Sequence, residues 1–167
     1  MTSDEGLQFT LINLRKRYLP EFPALPLATG ALIIGCGTLG CSLSRQLLSW
    51  GVQNFDLVDN GVVRPTNPTR QSLFTSADIG RKKAVVACEA LQHILPSVSA
   101  TPHCLTIPSP GLGCEEGSFE ALEKLIATSD IVFLCTDTRE SRWLPTALCS
   151  LLSKPSVALG LGFDSYL

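Results

Sequence analysis

Three glycines, Gly35, Gly37 and Gly40, follow the apolar run "ALII" and open "TLGCSLSRQLLSWG", a stretch with helical periodicity. A G-x-G-x-x-G spacing between a strand and a helix suits phosphate binding. Glycine lets the backbone approach a phosphate closely. The helix N-terminus adds free N–H groups and the positive end of its dipole. Further along, Asp59 closes a second apolar run, "NFDLVD". A carboxylate there can accept hydrogen bonds from two ribose hydroxyls. NAD and ATP both carry that ribose, so these two features leave the nucleotide open.

The next polar segments bear on the choice. "NPTRQ" supplies Asn67, Arg70 and Gln71, and "GRKKA" supplies Arg81, Lys82 and Lys83. A helix N-terminus can largely satisfy the single pyrophosphate of a dinucleotide. A triphosphate carries more charge and commonly needs dedicated cations, arginine as a bidentate fork and lysine as a point charge. Taken alone, Lys82 and Lys83 also read as the solvated face of a helix. Asp137 ends the run "DIVFLCTD". Beside bound phosphates it suits Mg²⁺, which takes one or two carboxylates plus phosphate oxygens. Asp137 and Glu140 also have capping-box-like spacing, so spacing alone leaves both roles open.

Strands and helices must alternate to hold these residues. "ALIIG", "NFDLVD", "DIVFLCTD" and "PSVALGLG" read as strands. "SVSATPHCLTI" reads as a third strand that Pro102 confines to an edge or breaks. The segments "TLGCSLSRQLLSWG" (closed by Gly51), "GRKKAVVACEALQHILP" (ended by Pro96), "SFEALEKLIATS" (with Ser118 as N-cap) and "RESRWLPTALCSLLS" read as helices. The pattern predicts a doubly wound, mostly parallel α/β sheet with a Rossmann-like fold. Ligands on such a sheet bind at the carboxyl ends of strands, here Gly35–Gly40, Asp59–Asn60 and Thr136–Asp137. Residues 1–30 read as an N-terminal helix, "LQFTLINLRKRYLP", and a Pro-rich linker, "EFPALPLATG". Residues 31–167 read as the nucleotide-binding domain.

Composition narrows the classes. With 45% hydrophobic and 17% charged residues, 167 residues make one globular domain with room for a core. A net charge of −2 argues against a general nucleic-acid binder. No apolar run approaches the roughly 20 residues that span a membrane. The polar start "MTSDEGLQFT" is not a secretory signal. Seven cysteines, an odd number without C-x-x-C spacing, signal neither a disulfide framework nor a zinc site and fit a cytoplasmic setting.

Together "IIGCGTLGCSLSRQLLSWGV", "VDNGVVRPTNPTRQSLF", "GRKKA" and "CTDTRESRWLP" resemble the ThiF-type adenylation domain of ubiquitin-like-modifier activating enzymes. The motifs "TLGC", "WGV", "VDN", "NPxRQ", "DTRESRWLP" and "LGFDS" resemble the autophagy branch, and the likeness runs from about Ala31 to Ser165. Such enzymes bind ATP and Mg²⁺, adenylate the C-terminal glycine carboxylate of a small modifier, release pyrophosphate and pass the acyl group to a cysteine. The resemblance implies that Gly35, Gly37 and Gly40 approach the phosphates and that Asp59 binds the ribose. Asn67, Arg70 and Lys83 would contact the phosphates, and Asp137 would hold Mg²⁺. Lys83 is preferred to Lys82 because the matching lysine directly precedes the small residue opening the helix. Arg17, or Arg15, would reach across a homodimer to the partner's ATP.

The resemblance also carries departures. None of the seven cysteines matches the family nucleophile, so no catalytic residue is assigned. That cysteine and the paired C-x-x-C zinc ligands lie beyond the end of this sequence. The large N-terminal domain that recruits the conjugating enzyme is also outside it. The expectation is therefore a C-terminally incomplete adenylation domain whose partner is an autophagy ubiquitin-like modifier. The alternative is a catalytically silent modifier-binding or dimerisation module. An NAD-dependent oxidoreductase rests only on the glycine loop and lacks an evident catalytic pair.

Overall fold

The computed structural model describes residues 30–109 and 115–161. The expected N-terminal helix, Arg15, Arg17, Cys114 and most of the "LGFDS" motif lie outside them.

The elements in chain order are β1 (Gly30–Ile34), α1 (Thr38–Ser49), β2 (Asn54–Val58), α2 (Lys83–Ile94) and β3 (Ser99–His103). They continue with α3 (Ser118–Thr128), β4 (Ile131–Leu134), α4 (Glu140–Leu151) and β5 (Ser156–Ala158). The strands form a parallel sheet in the order β3-β2-β1-β4-β5. The doubly wound expectation holds, and Pro102 sits on an edge strand, where its missing N–H can be tolerated.

Alternation along the strands sorts two cores. In β1, Ala31 and Ile33 face one side with Phe55, Leu57, Phe133 and the α1 and α2 residues Leu48, Val86 and Leu91. Leu32 and Ile34 face the other with Val58, Val132, Leu134 and the α3 and α4 residues Leu122, Ile126 and Leu148. Both faces of β1 are therefore dry, which explains a strand that is apolar without interruption. Burying each such side chain contributes about 1.5–3 kcal/mol.

Two boundaries differ from expectation. Ser118 does not cap α3. The cap is Gly117, at φ +80°, and Ser118 is the first helical residue and buried. A left-handed backbone is open to glycine at little cost, so conformation outweighed side-chain capping. The predicted helix at residues 80–96 begins only at Lys83. Gly80 has φ +89°, and Lys82 is held in an antiparallel bridge with Val62.

Candidate functional site

The strand order reverses its winding between β1 and β4, and a crevice opens there at the carboxyl ends of the strands. It is a cavity of about 810 Å³ lined on one side by Gly35, Gly37, Asp59, Asn67, Arg70 and Lys83. Thr136, Asp137 and Arg142 line it from the β4 side. All the predicted site residues except Gly40 and Arg17 meet here. Arg17 lies outside the described residues.

The glycines divide the work. Gly35 has φ +104°, and a Cβ there would lie 3.0 Å from the Cys135 backbone. At Gly40 a Cβ would stand 1.9 Å from the Gly35 carbonyl oxygen. Gly40 thus seats α1 against the strand end and is not among the residues lining the cavity. Gly37 faces open space, with nothing within 4 Å of an added Cβ. It is the N-cap of α1, whose first turn holds no acidic residue and no side-chain cap bond. The helix dipole therefore stands uncompensated at the cavity wall.

Asp59 joins the loops. The Cys36 N–H donates to its Oδ2 at 2.8 Å and the Gly61 N–H to its Oδ1 at 2.7 Å. Each carboxylate oxygen keeps a second acceptor site, so these bonds leave room for ribose hydroxyls.

The "NPTRQ" segment folds as turns around Asn67. Buried Asn67 accepts the Arg64 N–H on its Oδ1 at 2.8 Å. Arg70 donates from Nη1 to the Thr66 carbonyl at 2.9 Å, which leaves its other N–H groups to the cavity side. Lys82 and Lys83 separate cleanly. Lys82 Nζ donates to the Asn60 carbonyl at 2.9 Å, whereas Lys83, the first residue of α2, lines the cavity.

Asp137 does not cap α4. The residue before the helix is Arg139, which makes no side-chain cap bond, and one position earlier the Thr138 Oγ1 accepts the Ser141 N–H at 3.3 Å. Asp137 has no hydrogen-bond or ion-pair partner among the described residues. No group of three or more His, Cys, Asp or Glu that could hold a metal occurs among those residues. A cation at Asp137 would complete its shell with oxygens of a bound ligand and water, as Mg²⁺ does. Among the described residues, two buried polar atoms on the cavity lining, Gln71 Oε1 and Thr136 Oγ1, have no hydrogen-bond partner. Such atoms mark a polar site rather than a hydrophobic cleft.

Sequence reasoning did not select Arg64, Thr106 or Arg142, which also line the cavity. Arg142 lies within the motif "DTRESRWLP", yet only strand order brings its guanidinium to two strand ends.

The thiols here are suited to packing. Cys36, Cys41 and Cys135 are buried around the glycine loop, and Cys41 Sγ donates to the Cys36 carbonyl at 3.6 Å. Burial pushes Cys41 and Cys135 up to about 11. Burial, reinforced by the nearby Asp59 carboxylate, raises Cys36 well above its ordinary value. Neutral buried thiols are poor nucleophiles.

A model of the ThiF family matches residues 27–167. Ubiquitin-like modifier-activating enzyme atg7 of Dictyostelium discoideum is 40% identical over 176 residues, 99% of this chain and 25% of that protein. Ubiquitin-like modifier-activating enzyme ATG7 of Saccharomyces cerevisiae is 42% identical over 171 residues, 99% of this chain and 27% of that protein. The chain thus spans about a quarter of the length of these curated relatives. Among solved structures, E. coli MccB with ATP superposes with a TM-score of 0.67 at 26% identity, over 80% of this chain and 37% of that one. These likenesses bear out the resemblance to the autophagy branch and the adenylation-type fold.

Proposed function

We propose, from the premise that the chain belongs to the ThiF family, that it is the ATP-binding adenylation part of an activating enzyme for an autophagy ubiquitin-like modifier. One observation carries the reading: the open N-terminus of α1, Arg70, Lys83 and Asp137 converge on a single cavity at the switch point of the sheet. The relatives named as modifier-activating enzymes and the ATP held by MccB support it.

In this reading the N–H groups after Gly37 and the side chains of Asn67, Arg70 and Lys83 hold the phosphates. Asp59 takes the ribose hydroxyls on its remaining acceptor sites. Asp137 would hold Mg²⁺, which when bound neutralises phosphate charge. The chain acts by position. It keeps the modifier's terminal carboxylate and the α-phosphate together while fixed cations offset the charge developing between them. Arg17 would complete the site of a second copy in a homodimer. The buried thiols beside the loop take no acyl group, and no thioester is expected on them.

Calorimetry tests the nucleotide. ATP with Mg²⁺ should bind more tightly than NAD, and equal or tighter NAD binding would refute the reading. A charge-assisted hydrogen bond is worth about 1.5–3 kcal/mol, roughly 10- to 100-fold in affinity. Arg70→Ala should weaken ATP by that factor with or without Mg²⁺, whereas Asp137→Ala should chiefly abolish the Mg²⁺ dependence.

A further inference from the structure

The guanidinium of Arg142, on the first turn of α4, lies across the carboxyl ends of β4 and β5. Its Nε donates to the Thr136 carbonyl at 2.9 Å. Its Nη2 donates to the same carbonyl and, at 2.7 Å, to the carbonyl of Leu159. None of the ion pairs among the described residues involves Arg142, so its charge is spread over backbone carbonyl dipoles. The sheet ladder has already ended there. Among the described residues, the Leu159 N–H to the Leu134 carbonyl, at 2.9 Å, is the last backbone tie between the two strands.

The Thr136 carbonyl belongs to the peptide unit whose nitrogen is that of Asp137. That unit is planar, so fixing its oxygen also fixes the direction in which the Asp137 Cα leaves the strand. The Asp137 carboxylate makes no bond of its own among the described residues, so its place is inherited from this backbone. An arginine can hold it this way because its fork is planar and its donors diverge at a fixed angle. A lysine ammonium is a point charge with no such geometry.

We propose that Arg142 is a positioning residue: by clamping the Thr136 and Leu159 carbonyls it presents the Asp137 carboxylate to the divalent cation that accompanies the nucleotide. The inference rests on the reading of the cavity as an ATP and Mg²⁺ site. Residues that orient a metal's ligand typically change metal affinity by about 10- to 100-fold when removed. Arg142 itself touches neither phosphate nor cation in this scheme.

The test is calorimetry of ATP binding to the full chain, with and without Mg²⁺, for the unsubstituted protein and for Arg142→Gln and Arg142→Lys. Thermal unfolding of each protein is measured in parallel. Arg142→Gln should leave Mg²⁺-free ATP binding nearly unchanged and reduce the gain from Mg²⁺ by roughly tenfold or more. Arg142→Lys retains the charge and one contact. It should unfold near the temperature of the unsubstituted chain and recover only part of that gain. A gain left intact in Arg142→Gln, or ATP binding lost equally with and without Mg²⁺, would overturn the inference while the nucleotide reading stands. ATP binding absent from the unsubstituted chain would overturn the nucleotide reading, and the inference would fall with it.

Discussion

Replacing Gly37 by aspartate should make the chain more stable and a worse ATP binder at once. Gly37 caps α1 with φ −81° and ψ −156°, an extended conformation open to any residue, and an added side chain meets nothing within 4 Å. Aspartate is among the best N-caps and glycine trails it by a few tenths of a kcal/mol. A carboxylate facing the uncompensated dipole adds about 0.3–1 kcal/mol. Together these stabilise by roughly 0.5–1.5 kcal/mol, or about 1–5 °C in a chain of this size. The same carboxylate opposes phosphate. At about 4 Å and an effective dielectric of about 20, two unit charges repel by about 4 kcal/mol, so ATP should weaken at least 100-fold after screening. Scanning calorimetry with and without ATP checks both effects. At 100 times its dissociation constant, ATP should stabilise the unsubstituted chain by about 2.7 kcal/mol, which inverts the order of the two proteins. If Gly37→Asp binds ATP as well as the original, no phosphate sits at the α1 terminus. A lower melting temperature without ATP would instead refute the capping argument.

Two further outcomes follow from the same geometry. Gly40→Ala places a methyl group 1.9 Å from the Gly35 carbonyl oxygen, so the backbone must move. The overpacking cost, typically about 1–3 kcal/mol or more, should exceed the helix-propensity gain of at most about 1 kcal/mol. The melting temperature should therefore fall, and a rise would show that α1 is not seated on that carbonyl. Alkaline pH should also destabilise the fold. Burial holds Cys41 and Cys135 at about 11 and Cys88 at about 12, against an ordinary value of 9.0. Below pH 9 these thiols are neutral in both states and cost nothing. Above it the unfolded chain releases protons that the folded chain retains, so stability falls by about 1.4 kcal/mol per pH unit per thiol, roughly 4 kcal/mol for the three at pH 10. A melting temperature that is flat from pH 9 to 10 would contradict that account.

The strand–helix alternation and the rim of the site could be read from the sequence because both are local. The period of apolar residues in "ALII" and "DIVFLC", and the glycine spacing after Ile34, reflect forces acting within a few residues. The placing of Asp59 and Asp137 at one edge followed from the rule that parallel strands present their carboxyl ends together, whereas Arg70 and Lys83 were assigned to the same rim by the family resemblance. Side-chain allegiance was a matter for the tertiary structure. Spacing left Lys82 and Lys83 equivalent until the Asn60 carbonyl claimed one of them. It left Asp137 between helix cap and ligand until the fold put Arg139 at the cap and gave Asp137 no capping bond. It named Ser118 as a cap where a left-handed Gly117 does the work. It grouped three glycines that the fold separates into a strand-end turn, an open wall and a helix seat. Arg142 is the furthest from local inference. Its partners Thr136 and Leu159 are neighbours because β5 pairs with β4, and that pairing arises from burying two faces of a sheet rather than from any short stretch of chain.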